Sequence, residues 1–348
     1  MNFSQTVLNW YHHHKRDLPW RSTSDPYIIW LSEIILQQTR VEQGLPYFHK
    51  FAEAYPTVRD FASATEDEIL KNWQGLGYYS RGRNMHKTAR MVMEDHAGYF
   101  PSQYDKLIRL KGIGEYTAAA ISSFAANEAK AVVDGNVFRL LARYFGIAEP
   151  INTPKGKRVF ADLANQLIDI TQPGIYNQAV MEFGALQCKP RNPDCSSCPL
   201  NAGCVALKDH RINELPVKIR SRLPKSRYFN YLVIVNEGQI LIHKRTGNDI
   251  WRNLYEFPMI ETAGQQTPEE LLNEPAFVSQ WGTCNVRSVS VPVKHQLSHQ
   301  TIFARFIEIA ADEIMTDTKP NTFWINVSEV DQLAVPKLIF DYFKKFLP

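Results

Sequence analysis

Four of the chain's five cysteines fall between residues 188 and 204, as Cys188, Cys195, Cys198 and Cys204, with the spacing C-x6-C-x2-C-x5-C. Thiols this crowded suit a shared soft metal centre, either a zinc ion or an iron–sulfur cluster, better than a set of disulfides. Cys284 stands apart and reads as a small buried hydrophobe. A second candidate is Glu33, set in Trp30-Leu31-Ser32-Glu33-Ile34-Ile35-Leu36. A carboxyl among such neighbours loses hydration, and its pKa climbs from about 4.3 toward neutrality. It could then hold a proton at pH 7 and release it as a general acid. An exposed helix glutamate is the alternative, and the residues alone leave the two level. A third feature is Leu110-Lys111-Gly112-Ile113-Gly114, followed about twenty residues later by Asp134-Gly135-Asn136-Val137. Two glycines in this spacing permit a tight turn between helices whose outward N–H groups can hold a phosphate without reading sequence. Asp134 suits the N-cap of a helix over 137–145. His12-His13-His14 begins no ligand constellation and reads as a solvated helix face.

The elements that must position these residues change character along the chain. Residues 1 to about 205 carry apolar residues at helical spacing, as in Ile34, Val41, Leu45 and Phe48, broken by Gly- or Pro-containing turns. Residues 208–227 hold seven Lys/Arg against two acids and read as a basic linker, either a solvated connector or a strip lying along DNA phosphates. Short β-rich runs follow at 228–236, 239–243, 288–293 and 301–309, with helices at 268–273 and 336–346. The 348 residues are enough for two domains, and 44% apolar with 22% charged residues fits a globular protein. A net charge of +3 neither demands nor excludes nucleic acid. With no basic start before an apolar run, and no stretch of about 18 apolar residues, a cytoplasmic protein without a membrane span is expected.

Taken together, the motifs resemble known DNA repair enzymes. The cysteine spacing is similar to the [4Fe–4S] loop of the endonuclease III and MutY glycosylases. That resemblance implies one structural [4Fe–4S] cluster, with Lys189 and Arg191 near DNA phosphate. The Gly-Ile-Gly hairpin and the later aspartate resemble the helix–hairpin–helix, Gly/Pro-rich loop, Asp superfamily. It implies that Lys111, Gly112 and Gly114 meet the DNA backbone. Asp134 would stabilise the oxocarbenium-like state of glycosidic cleavage, with Asn136 orienting the site. Endonuclease III-like members carry a lysine at position 116 for Schiff-base strand cutting. Tyr116 stands there here, so base removal without efficient strand cleavage is expected, and Lys111 could support only feeble lyase activity.

Ser32-Glu33-Ile34-Ile35-Leu36-Gln37-Gln38-Thr39 looks like the SE-x-x-LQQT motif of MutY enzymes, which implies that Glu33 protonates adenine N7. Leu18-Pro19-Trp20-Arg21 is similar to the family's pocket segment, with Trp20, Arg21 and Val41 lining the adenine site. Met181-Glu182-Phe183-Gly184-Ala185 would bring Glu182 near the adenine amino group. Gln38 and Thr39 would face 8-oxoguanine. Gly75-Leu76-Gly77-Tyr78-Tyr79-Ser80-Arg81 matches a signature whose first tyrosine, Tyr78, wedges into the duplex.

Asp249-Ile250-Trp251-Arg252-Asn253-Leu254-Tyr255-Glu256-Phe257-Pro258 resembles the W-x-x-L-W/Y-E-F-P stretch of the Nudix-like domain of MutY proteins. The Glu-rich helix of a catalytic Nudix box is missing, since Pro268-Glu269-Glu270 is too short and lacks the arginine. A recognition module is therefore expected. His295-Gln296-Leu297-Ser298-His299 matches the family's H-x-F-S-H loop, with Ser298 and His299 as 8-oxoguanine readers and Leu297 in place of the usual phenylalanine. The expectation is a multidomain chain. Residues 1–207 form an all-α glycosylase domain containing the hairpin (about 105–126) and the cluster loop. The linker 208–227 leads to an α+β Nudix-like domain over 228–348. Such a chain would act as a nucleoid-associated monomer on duplex DNA containing adenine opposite 8-oxoguanine. The rivals are a bifunctional glycosylase/lyase and a non-catalytic iron–sulfur DNA-binding redox sensor.

Overall fold

Local signals start many of the helices in the first two-thirds of the chain. In the computed structural model, which describes residues 2–219, 224–281, 285–310 and 320–346, Asn2 caps α1 (Phe3–His14). Asp25, followed by a proline at the first helical position, opens α2 (Pro26–Ile35). Then come α3 (Val41–Ala54), α4 (Val58–Ser63), α5 (Glu66–Trp73), α6 (Ser80–Asp95) and the single turn α7 (Tyr104–Leu107). The run continues with α8 (Glu115–Ala126), α9 (Gly135–Phe145), α10 (Pro154–Leu167), α11 (Pro173–Leu186) and the short α12 (Val205–Lys208).

Two compact units result. The first comprises residues 1–63 and 84–220. In it α11 packs against α1, α8 and α9, and α2 against α3 and α8. One core gathers Leu8, Trp10, Leu140, Phe160 and Phe183 from α1, α9, α10 and α11, with Cys188, Cys198 and Cys204 against its edge. A second, aromatic patch joins Trp30, Phe51, Tyr55, Phe61 and Phe100 around α2.

The second unit comprises residues 64–83 and 221–348. Its strands are β1 (Lys225–Asn236), β2 (Gln239–Lys244), β3 (Tyr255–Glu256), β4 (Met259–Thr262), β5 (Val286–Val289), β6 (Val293–Gln296), β7 (Gln300–Ile309) and β8 (Thr322–Asn326). They run β3-β2-β1-β7-β5, with β4 on β1, β6 on β7 and β8 on β2. β1 and β7 are parallel, from Lys225 beside Gln300 to Ile234 beside Ile309, and the other pairs are antiparallel. Alternation along β1 feeds two cores, as a period of two requires. Phe229, Tyr231 and Val233 face α15 (Lys337–Phe346), whereas Leu232 and Ile234 face α13 (Pro268–Leu272) and α14 (Pro275–Trp281).

Three features differ from expectation. The strand sought over 288–293 is two strands, β5 and β6, both paired to β7 and parted by Ser290-Val291-Pro292. Pro292 has no N–H to give a ladder. The basic stretch 208–227 is not linker throughout, because Lys225 and Arg227 already lie in β1. Arg227 is committed to Asp249 and Glu261 at 2.6–2.9 Å. Finally, α5 and the turn after it belong with the C-terminal body. There Asp67 accepts from Lys244 Nζ at 2.8 Å and Tyr255 Oη at 2.7 Å, and Tyr79 Oη donates to the Val335 carbonyl at 3.1 Å. Arg220, Arg222 and Cys284 lie outside the described residues. Among the described residues no helix is long and apolar enough to cross a membrane.

Candidate active site

α2 is unusual in burying almost every side, from Ile29 to Ile35, and Glu33 is caught in that burial with 8% of its surface exposed. Loss of hydration pushes its carboxyl up to about 7, against a hydrogen bond from the Tyr116 hydroxyl that favours the anion. The charge of Asp134 raises it further, while Arg21 opposes. Tyr116 sits near the start of α8, which is tied to the end of α2 by Gln37 Nε2 donating to Thr117 Oγ1 at 3.2 Å. Burial, and after it the charges of Glu33 and Asp134, hold the Tyr116 phenol well above its ordinary range, so it stays a donor.

Asp134 caps α9, accepting from the backbone N–H groups of Asn136 (2.9 Å) and Val137 (2.8 Å) and from Asn136 Nδ2 (2.7 Å). Burial raises its pKa despite those bonds. A partly buried carboxylate at a helix N-terminus is thus fixed in direction, and both it and Glu33 act electrostatically on Tyr116. Behind it stands an arginine that spacing alone did not single out. Arg139 Nη2 donates to Asn136 Oδ1 (2.8 Å) and to the Gly184 carbonyl (2.6 Å), and its Nε donates to the Cys188 carbonyl (2.7 Å). Arg143, one turn on, donates to Cys188 Sγ (3.4 Å) and to the carbonyls of Lys189 (2.7 Å) and Pro190 (3.2 Å). Two arginines four apart on the apolar face of an amphipathic helix were the available signal.

Glu182, only 1% exposed, is clamped. Its two oxygens accept from Arg16 N, Nε and Nη2 and from both Arg21 Nη atoms, at 2.7–3.0 Å. Burial alone would raise its pKa, but these donors outweigh it and hold the carboxyl at about 2. Arg16 was not anticipated, and nothing in its sequence context marks it. Trp20 is buried edge-on to Phe48 with ring centres 5.0 Å apart. Val41, partly buried, opens α3 just after the turn that holds Gln38 and Thr39. Gln38 is exposed at a left-handed φ of 59°, and Thr39 Oγ1 donates to the Gln37 carbonyl at 3.3 Å.

Lys111, Gly112 and Gly114 are exposed in the hairpin. Gly112 has φ 80° and lies so close to Asn84 that an added Cβ would come within 2.7 Å of its side chain. Only glycine fits both constraints. Lys189 and Arg191 are exposed in the cysteine loop. Cys188, Cys195, Cys198 and Cys204 line one small cavity of about 30 Å³. Among the described residues no three Cys, His, Asp or Glu side chains converge tightly enough to hold a single ion.

In the second unit Tyr78, 47% exposed and at a left-handed φ of 47°, hydrogen-bonds through its hydroxyl to that of Ser298. Ser298 and His299 are exposed in the β6–β7 turn, closed by Leu297 N–H donating to the Gln300 carbonyl at 2.8 Å. With Tyr79 and Trp251 they line a cavity of about 460 Å³.

The hairpin thus leads into α8, and an aspartate capping α9 stands with a second, buried carboxylate on α2. Residues 31–165 match the HhH-GPD superfamily of base excision DNA repair proteins, and residues 230–345 match the NUDIX domain. The chain is 33% identical over 342 residues to the adenine DNA glycosylase of Buchnera aphidicola subsp. Baizongia pistaciae, covering 96% of this chain and 93% of that one. It is 31% identical to the adenine DNA glycosylase of Rattus norvegicus, covering 99% and 78% respectively. Among solved structures it is similar to a thermostable thymine-DNA glycosylase, with a TM-score of 0.56 at 31% identity over 60% of this chain and 95% of that one. The chain belongs to the MutY-type adenine DNA glycosylases.

Proposed function

We propose that this enzyme hydrolyses the N-glycosidic bond of adenine lying opposite 8-oxoguanine in duplex DNA. Adenine removal in base excision repair is the activity of its family. The observation carrying the mechanism is Glu33, a carboxyl raised to about 7 by burial and by the charge of Asp134. Two carboxyls that feel each other do not both ionise readily, and this pair divides the labour. With adenine flipped out, Glu33 gives its proton to N7, and the C1′–N9 bond breaks with its electron pair leaving on the base. Asp134, directed by its capping bonds and by Asn136, stabilises the sugar cation until water adds at C1′, the water's surplus proton passing to the Glu33 carboxylate. Tyr116 keeps the Glu33 oxygen aimed and offers no amine for a Schiff base, which supports base release without strand cutting.

In this reading Trp20, Val41 and Arg21 line the adenine pocket. Glu182 serves it through Arg21, because its oxygens are already occupied. Gln38, Thr39, Tyr78, Ser298 and His299 read the opposite base. Lys111, Gly112, Gly114, Lys189 and Arg191 hold the backbone, which fits their exposure. The four cysteines would hold one [4Fe–4S] cluster. Four thiols on the lining of one cavity, with Arg143 donating to Cys188 Sγ, are the donor type that such a cluster takes. When bound, the cluster would brace loop 188–204 and supply no chemistry to the reacting bond. Every group in the scheme comes from one chain, so a monomer suffices, working where the chromosome is. The test is base release from duplexes carrying adenine opposite 8-oxoguanine, guanine or thymine, read with and without alkali. Alkali-dependent breaks, fastest opposite 8-oxoguanine, are expected. Equal rates on all three, or breaks without alkali, would overturn the proposal.

A further inference from the structure

We infer that Arg81 is a positioning residue that holds Tyr78 in its presenting conformation, and so sets the enzyme's preference for the base opposite adenine. The inference rests on the reading of Tyr78 given above. Tyr78 ends a turn in which Gly75, Gly77 and Tyr78 itself all have positive φ, at 104°, 70° and 47°. The last is a conformation that a bulky residue keeps only when its surroundings impose it. The imposing groups are close by. Arg81 Nη2 donates to the carbonyls of Leu76 (3.2 Å) and Gly77 (3.3 Å), the two residues just before Tyr78. Its guanidinium lies 5.0 Å from the centre of the Trp73 ring and 5.7 Å from that of Tyr78. Trp73 closes the arrangement by donating Nε1–H to the Gly77 carbonyl at 2.9 Å. One planar cation thus ties the turn's carbonyls to the two rings on either side of it. With the turn held, the Tyr78 hydroxyl stays on Ser298 at the mouth of the cavity. A lysine has neither the fork nor the flat face for this.

The test is a double-mutant cycle on the full-length protein. The readout is the ratio of single-turnover adenine release from duplexes with 8-oxoguanine or guanine opposite. Tyr78→Ala should lower that ratio on the order of tenfold, the scale of one lost base–aromatic contact. Arg81→Lys should lower it to a similar extent, and adding it to Tyr78→Ala should change nothing further. The salt dependence of binding to undamaged duplex should stay as in the wild type, because Arg81 is assigned no phosphate. Should Arg81→Lys melt at a markedly lower temperature, Arg81→Gln, which carries an uncharged planar amide on a shorter stem, is put through the same cycle. Additive effects, or a salt slope reduced by about one, would overturn the role of Arg81. An unchanged ratio in Tyr78→Ala would instead overturn the reading of Tyr78 on which it rests.

Discussion

Glu33→Gln should stabilise this protein at the pH where it works, while abolishing its activity. The wild-type carboxyl moves from an ordinary 4.5 to about 7 in the folded chain. Such a group supports folding fully below its unfolded value, and that support is lost as pH rises through the folded value. At about 1.36 kcal/mol per pH unit, the gap of roughly 2.5 units corresponds to about 3 kcal/mol by pH 8. Glutamine has the same shape, can still accept from Tyr116, and carries no charge to bury. The two proteins should therefore melt together near pH 4.5 and part steadily above it. By pH 8 the variant should be ahead by roughly 6–12 °C, at 2–4 °C per kcal/mol for a domain of about two hundred residues. Thermal melts of both proteins followed by circular dichroism across pH 4.5–8.5 measure this directly. Titrating groups that do not feel the Glu33 charge are common to the pair and cancel. A difference that stays flat with pH, or a wild type that gains on the variant as pH rises, would refute a desolvated acid at Glu33.

Other perturbations follow from the same geometry. Asp134→Asn keeps a good N-cap residue, so melting should shift by no more than the equivalent of about 1 kcal/mol. Single-turnover adenine release should nevertheless fall on the order of a hundredfold or more with loss of the anion. Glu182→Gln should show the opposite pH pattern to Glu33→Gln. Its carboxyl is held at about 2 by Arg16 and Arg21, so its stabilisation is present above 4.5 and lost as pH falls. The wild type should lead by about 3 kcal/mol at pH 7, with the lead shrinking in melts taken below pH 4.5. Gly112→Ala meets both a positive φ and the Asn84 side chain, and should cost about 1–2 kcal/mol. In titrations it should weaken binding to matched and mismatched duplexes alike.

What was legible in the sequence was whatever chemistry is local. The helical half and Asp134 as a cap follow from neighbours a few residues away, whereas the residues beside Glu33 leave its burial level with exposure. The contributions that escaped notice join distant segments. Arg139 connects Asn136 to Gly184 and Cys188, and Arg16 reaches Glu182 across 166 residues. The apolar helix face marks Arg139 as buried, but no local pattern names the distant groups that these arginines meet. The segment 64–83 reads as one more helix of the first half. Its partners reveal that it folds with the C-terminal body: Lys244 and Tyr255 donate to Asp67, and Tyr79 donates to the Val335 carbonyl.

Free adenine released in a single turnover from an adenine:8-oxoguanine duplex, with wild type and Glu33→Gln compared at saturating protein, bears most directly on the proton donor. The account predicts release by the wild type that slows as pH climbs past about 7, and a variant that binds the same duplex yet releases no measurable adenine. Release by Glu33→Gln at the wild-type rate would contradict it.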